Sequence, residues 1–353
     1  MLVNILREYK INRMFLSWLG LWPFQHKLAR HSLPMFCFVL ELSYLPFEII
    51  TLYIHRDNKQ MIFECLYQMV VTLAFLVKLL NQLWYRSKFQ RLYETMENHW
   101  NIFTNEFEVR IMKTYSGTSQ KFTVSYSMLI YVMMSMFIII PTLGPMLLDI
   151  VLPLNESRSR HFAVYAEYGI DQNKYFVEIF LYTTIMITVG MAIMVSVDTM
   201  HIACTAHACS LFQVVGYVDI LNDTHKIVGI SFSLLLGTLV SLIGVRIVYV
   251  LDQMEEMIRF TFIIMGALLQ LMIACYSGQK LMDESQNIFH RAYAAEWYKF
   301  SPRLRSLLII TLYRSVVPCK LTAGNLFPLS MSLFAAVVRA SVSYFTTFLS
   351  LKD

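Results

Sequence analysis

Residues 201 to 209, "HIACTAHAC", place two histidines and two cysteines within nine positions, the side chains that ligate zinc. On a helix His201 and Cys204 share a face that His207 and Cys209 largely do not, and zinc spacings usually look otherwise, so no metal site is expected. No nucleophile stands beside a base, no glycine-rich loop could cradle phosphate, and no pair of catalytic carboxylates appears. The chain reads as neither an enzyme nor a cofactor protein.

A second pattern closes the sequence. In "SVSYFTTFLSLKD", residues 341 to 353, and the turns before it, Ser332, Ala336, Arg339, Ser343, Thr347 and Ser350 recur every three or four positions. On a helix they share one face, while Leu333, Phe334, Val337, Val338, Tyr344, Phe345 and Phe348 cover the rest. In lipid a row of hydroxyls gains nothing and Arg339 is costly; beside a water-filled axis both are favourable. The competing reading is that the hydroxyls bond back to their own helix or to a neighbour.

The elements that carry these residues belong to a membrane protein. Of 353 residues, 57% are hydrophobic and only 15% charged, where a soluble domain carries about a quarter. Runs near 31–54, 61–84, 122–150, 174–200, 228–250, 260–279 and 325–350 are long and apolar enough to span a bilayer. The six cysteines suggest no pairing. The first thirty residues lack the features of a cleaved signal. Leu2, Ile5, Leu6 and Tyr9 share a helical face there, and Trp18 and Trp22 follow, which predicts a segment lying in the membrane interface.

Seven spans put the termini on opposite sides, so the distribution of Lys and Arg assigns orientation. The amino-terminal stretch and the segments 85–121, 201–227 and 280–324 hold nineteen, against seven on the other side. The amino terminus is therefore expected inside and the carboxyl terminus outside, the reverse of a G-protein-coupled receptor, which stays as the alternative. The sequon at Asn155 falls in an outer loop and is a glycosylation candidate, while the one at Asn222 falls inside.

Within the spans, Lys78 and Asp198 sit toward inner ends, and Glu48, Asp149, Glu178 and Arg246 toward outer ends, where side chains can snorkel. Gln270 is the polar residue near mid-span and is expected to bond a neighbouring helix. With no acids near the midplane and no paired broken spans, a secondary transporter is disfavoured. The outer halves of spans two to four are rich in Met, aromatics and small hydroxyls, which suits a pocket for a small, mostly apolar ligand. Tyr67, Met134, Phe137, Ile138, Phe180, Thr183 and Met186 are its candidate lining, although ordinary helix packing would use the same residues. Residues 280–324 read as helix to Tyr298, a break at "SPR", and a basic stretch too short to span, closed by Pro318.

The carboxyl-terminal region, with "GQKLMDES", "AYAAEWY", "RSVVPCKLTAGNLFPLSMSLF" and "SVSYFTTFL", resembles the insect odorant receptors. The Trp297–Tyr298 pair, the run from Pro318 to Gly324 and the Tyr344–Phe345 pair are specific in combination, and the ending typical of insect gustatory receptors is missing. The resemblance implies an odorant-gated, non-selective cation channel in the plasma membrane of a sensory neuron. This chain would be a tuning subunit in a heterotetramer with the odorant receptor co-receptor, whose second cytoplasmic loop is much longer.

It further implies an all-α fold of seven transmembrane helices with a cytoplasmic amino terminus and an extracellular carboxyl terminus. Residues 1–30 would be the amino-terminal segment, 31–279 the ligand-binding region, 280–324 a cytoplasmic anchor containing Trp297, Tyr298 and Pro318, and 325–353 a pore-lining helix. Matching the terminal Tyr-Phe to the co-receptor's own places the gate at Thr347 and Leu351 and the polar constriction at Ser350, with Ser343 on the same face. One departure is a chain several tens of residues shorter than usual around the second cytoplasmic loop and the start of span five.

Overall fold

The computed structural model describes residues 3–103, 106–151, 162–172, 174–211, 233–246, 254–294, 297–299, 309, 312–313, 315–324 and 326–350. The candidate glycosylation site Asn155, the gate candidate Leu351 and the stretch after Leu211 expected to be short lie outside them, as does the "SPR" break.

Helices dominate: α1 Val3–Glu8, α2 Lys10–Trp18, α3 Lys27–Ile54, α4 Lys59–Trp84, α5 Arg86–Ile102, α6 Glu106–Val151, α7 Phe176–Leu211, α8 Ser233–Arg246, α9 Met254–Ala294 and α10 Met331–Ser350. The helix expected to reach Tyr298 runs to Ala294 and is followed by a 3-10 turn at Trp297–Lys299. Among the described residues five helices are long and apolar enough to cross a membrane, in α3, α4, α6, α7 and α9. α6 has 46 residues, or about 70 Å at 1.5 Å per residue, more than twice a hydrocarbon core of about 30 Å. Large apolar side chains such as Phe36 and Ile50 on α3, Met128 on α6 and Leu181 on α7 are exposed, as surfaces solvated by lipid require.

α7 is the hub, packing against α2, α3, α4, α6 and α9. Its contact with α4 depends on Gly190, where an added Cβ would come within 2.3 Å of the Phe75 ring. Asn58 starts α4 by accepting from the Gln60 and Met61 amides through Oδ1, at 3.0 and 3.4 Å.

The apolar face expected to lie in the membrane interface is taken up by protein. Ile5 of α1, Tyr9 at the turn and Leu16 of α2 are buried in one core with Leu92 and Met96 of α5 and Ala203 and Ala208 of α7; Trp22 stacks on Tyr93 at 5.1 Å. Glu97 of α5 caps α1, its carboxylate accepting from the Asn4 and Ile5 amides at 3.1 and 2.9 Å. That is how the short first helix is held, since six residues cannot persist alone in water.

The run from Pro318 folds into a two-stranded hairpin, Thr322–Ala323 against Phe327–Pro328, turning at Gly324 with φ of +60°. Leu321, Ala323 and Leu329 bury themselves in the core shared with α1 and α5. α9 accepts the hairpin at Gly278, where a Cβ would lie 2.3 Å from the Leu329 carbonyl oxygen.

Candidate functional site: an apolar cavity and an uncovered helix face

A cavity of about 160 Å³ opens among α3, α4, α6, α7, α8 and α9. Its wall is mostly apolar and adaptable, with Met133, Met134, Met186, Met191 and Met194 beside aromatic rings of Tyr67, Phe75, Phe137 and Phe262. Tyr67, Met134, Phe137 and Met186 of the sequence-derived set lie on this wall. Ile138 and Phe180 pack in the adjoining core of α3, α6 and α7. Thr183 is buried with its hydroxyl donating to the Ile179 carbonyl at 3.0 Å, so helix geometry claims the group that could have faced a ligand.

Two buried charge networks bracket the cavity. One turn beyond Tyr67, Glu64 receives Arg246 of α8 and Arg259 of α9, each at 2.7 Å, with all three side chains no more than 5% exposed. Arg259 also donates to the Ala163 carbonyl at 3.2 Å, and both guanidiniums lie over the Phe260 ring. At the opposite end Lys78 of α4 pairs with Asp198 of α7, whose second carboxylate oxygen accepts from Gln270 at 2.6 Å and from Tyr126 at 3.4 Å.

These networks correct the snorkelling expectation for Glu48, Lys78, Asp198 and Arg246. Glu48, Lys78 and Arg246 are buried and Asp198 is only partly exposed, because a partner within the helix bundle, or the cavity wall in the case of Glu48, lies closer than the membrane surface. Glu178 is exposed as expected, and Gln270 does bond a neighbouring helix. Sequence reading passed over Glu41 and Glu64. The available signal was an acid inside an apolar run, which demands a partner without naming it.

The "HIACTAHAC" residues diverge in space. His201 meets Ser277 at 3.4 Å, Cys204 meets Met96, and His207 stacks on His99 at 5.5 Å while bonding Tyr9. Among the described residues no group of three or more His, Cys, Asp or Glu is placed to hold a metal. Burial holds the His99 imidazole below its ordinary pKa, favouring the neutral ring that can stack and exchange one hydrogen bond with His207.

α10 presents two unlike faces. Val337 and Phe345 close on Gly237 and Gly244 of α8, and the Ser341 hydroxyl donates to the Gly237 carbonyl at 3.0 Å. Ser332, Ala336, Arg339, Ser343, Thr347 and Ser350 are exposed along the other side, uncovered by any described part of the chain. Thr347 and Ser350 also bond back to the carbonyls of Ser343 and Thr347 at 2.9 and 2.8 Å, as the back-bonding reading of the stripe expects. Trp297 and Tyr298 are exposed at the end of α9's extension, and Pro318 is half-buried at the root of the hairpin.

Residues 213–342 match the family model described as 7tm Odorant receptor. The chain is 25% identical over 138 residues to Odorant receptor 10 of Aedes albopictus, covering 38% of this chain and 36% of that one. It is 30% identical over 132 residues to Odorant receptor 85f of Drosophila melanogaster, covering 37% and 33%. With the Odorant receptor coreceptor of Drosophila melanogaster it shares 28% over 145 residues, covering 40% and 29%. The aligned stretches thus span only about a third of those relatives' own length. The fold follows the solved insect olfactory receptor OR5 from Machilis hrabei with a TM-score of 0.75 at 14% identity, over 99% of each chain. Against the same receptor in complex with eugenol the TM-score is 0.74, at the same identity and coverage.

Proposed function

We propose that this chain, which belongs to the insect odorant receptor family, is the ligand-binding subunit of an odorant-gated, non-selective cation channel assembled with the odorant receptor co-receptor. The observation that carries the channel reading is the uncovered face of α10, where Arg339 and a file of hydroxyls run along an otherwise apolar helix. Lipid penalises such a face, and a water-filled axis shared by several subunits accommodates it.

In this reading seven helices cross the plasma membrane with the amino terminus inside. Residues 31–279 bind the ligand, the 280–324 region with Trp297, Tyr298 and Pro318 contacts neighbouring subunits, and α10 lines the pore. Ser343, Thr347, Ser350 and Leu351 face the ion path. The cavity walled by Tyr67, Met134, Phe137 and Met186 takes the odorant, with Ile138, Phe180 and Thr183 shaping it from behind. At about 160 Å³ it is smaller than the roughly 300–1,000 Å³ of drug-sized pockets, so the ligand is small. Asn155 is a glycan acceptor on the outer side. The absence of an acidic ring on α10 suits weak selectivity among cations.

The test is current recorded from cells expressing this chain with the co-receptor. A ligand-evoked cation current that persists when G-protein signalling is blocked supports the channel; loss of the response under that block replaces it with the G-protein-coupled alternative.

Thr347→Leu puts bulk and apolarity on the exposed face of α10 without touching the face packed on α8. Single-channel conductance is expected to fall at least about twofold, since a hydrophobic constriction opposes wetting. Unchanged conductance and ion selectivity would remove Thr347 from the ion path.

A further inference from the structure

Two acids inside this bundle come with cations, while Glu41 and Glu48 of α3 are buried without one among the described residues, and of those two only Glu48 lines the cavity. Glu64 has Arg246 and Arg259, and Asp198 has Lys78. Glu48 of α3 lines the cavity at 0% exposure beside Thr72, and among the described residues no cation reaches its carboxylate.

Tyr44, Gln68, Tyr126 and Gln270 on the same wall are occupied internally. The Tyr44 hydroxyl donates to Gln68 at 3.1 Å, Tyr126 donates to Asp198, and Gln270 donates to the same carboxylate. A buried carboxylate left without a countercharge is costly, so the countercharge is to be sought in whatever fills the cavity. Aromatic rings of Tyr44, Tyr67 and Phe137 share that wall, and such faces stabilise a cation as well as an apolar tail.

We propose that Glu48 is the anchor for a cationic ligand, and that the ligand class is a small primary amine with an aromatic or aliphatic body, its ammonium donating to the Glu48 carboxylate. This rests on the reading of the cavity as the ligand pocket. An ammonium supplies the positive charge that Lys78, Arg246 and Arg259 supply to the other acids, and the Met-rich wall takes the apolar remainder. An alcohol of the same shape offers one neutral donor, and a hydrocarbon offers none. Affinity should fall in that order, because hydrogen bonds between charged groups are the stronger ones.

The experiment measures binding of phenethylamine, phenethyl alcohol and propylbenzene, which have equal numbers of heavy atoms, to the purified full-length chain with its co-receptor in lipid nanodiscs. The amine is expected to bind at least about tenfold more tightly than the alcohol. Glu48→Gln, which preserves shape, is expected to abolish that preference while leaving alcohol binding within about threefold. Equal affinities for the three probes, no binding of any, or a Glu48→Gln variant that weakens all three alike would overturn the assignment. Where the variant does not fold, the ranking of the three probes on the unaltered protein decides alone.

Current recorded in parallel separates this proposal from the channel reading. Amine binding through Glu48 without current sustains the anchor and removes the channel. Current evoked by all three probes at equal concentrations sustains the channel and removes the anchor.

Discussion

Glu64→Leu is expected to destabilise the protein by about 3–5 kcal/mol, the usual cost of stripping a buried ion network of one partner. The substitution removes the carboxylate shared by Arg246 and Arg259, two guanidiniums no more than 5% exposed. What remains is two like charges, both within 6 Å of the Phe260 ring centroid, held between α4, α8 and α9. Thermal unfolding of the detergent-solubilised protein, with cell-surface abundance as a second readout, measures the loss.

The accompanying triple variant, Glu64→Leu with Arg246→Met and Arg259→Met, is expected to regain most of that stability, because packed apolar groups often replace a buried ionic cluster at little cost. A single variant as stable as the parent would mean that water reaches the site. If the triple variant were no better than the single, packing shape rather than charge would be what ties α8 and α9 to α4.

The second large effect is expected at the other end of the cavity. Asp198→Leu leaves the Lys78 ammonium, 2% exposed, without its carboxylate, and also takes the acceptor from Gln270 and Tyr126. A loss of about 3–5 kcal/mol follows from the same physics. Asp198→Asn should cost less, since its carbonyl oxygen still accepts from the Gln270 amide or the Lys78 ammonium.

Combining Asp198→Asn with Lys78→Met should restore stability, and the double-mutant cycle reports how much the pair shares. Additive losses would mean that the two residues do not interact in the folded protein. This site links α4, α6, α7 and α9 beneath the cavity, so the cycle is best read on unfolding midpoint and ligand binding together: a pocket that loosens before the bundle does would show weaker binding at unchanged midpoint.

Much of this protein was legible before any coordinates. Residue composition and the length of apolar runs determined that it lives in a bilayer, because each span must bury its own backbone hydrogen bonds and present apolar side chains to lipid, which is a local property of some twenty residues. The helical face holding Ser332, Arg339, Ser343 and Thr347 was equally legible, since it depends only on a 3.6-residue period. Gln270 could be expected to bond across helices for the same local reason: no acceptor was available on an apolar stretch of its own helix.

Pairing was not legible, because it joins residues far apart in sequence. Glu64 meets Arg246 and Arg259 across 182 and 195 positions, and Lys78 meets Asp198 across 120. Read one span at a time, Glu48, Arg246 and Asp198 looked like charges near helix ends with water in reach, and only the packed bundle decided that they point inward. The division of the methionines and aromatics was settled the same way. Met134 and Phe137 face the cavity while Ile138, one residue further along α6, turns into the neighbouring core, a distinction set by where α3, α7 and α9 stand around α6.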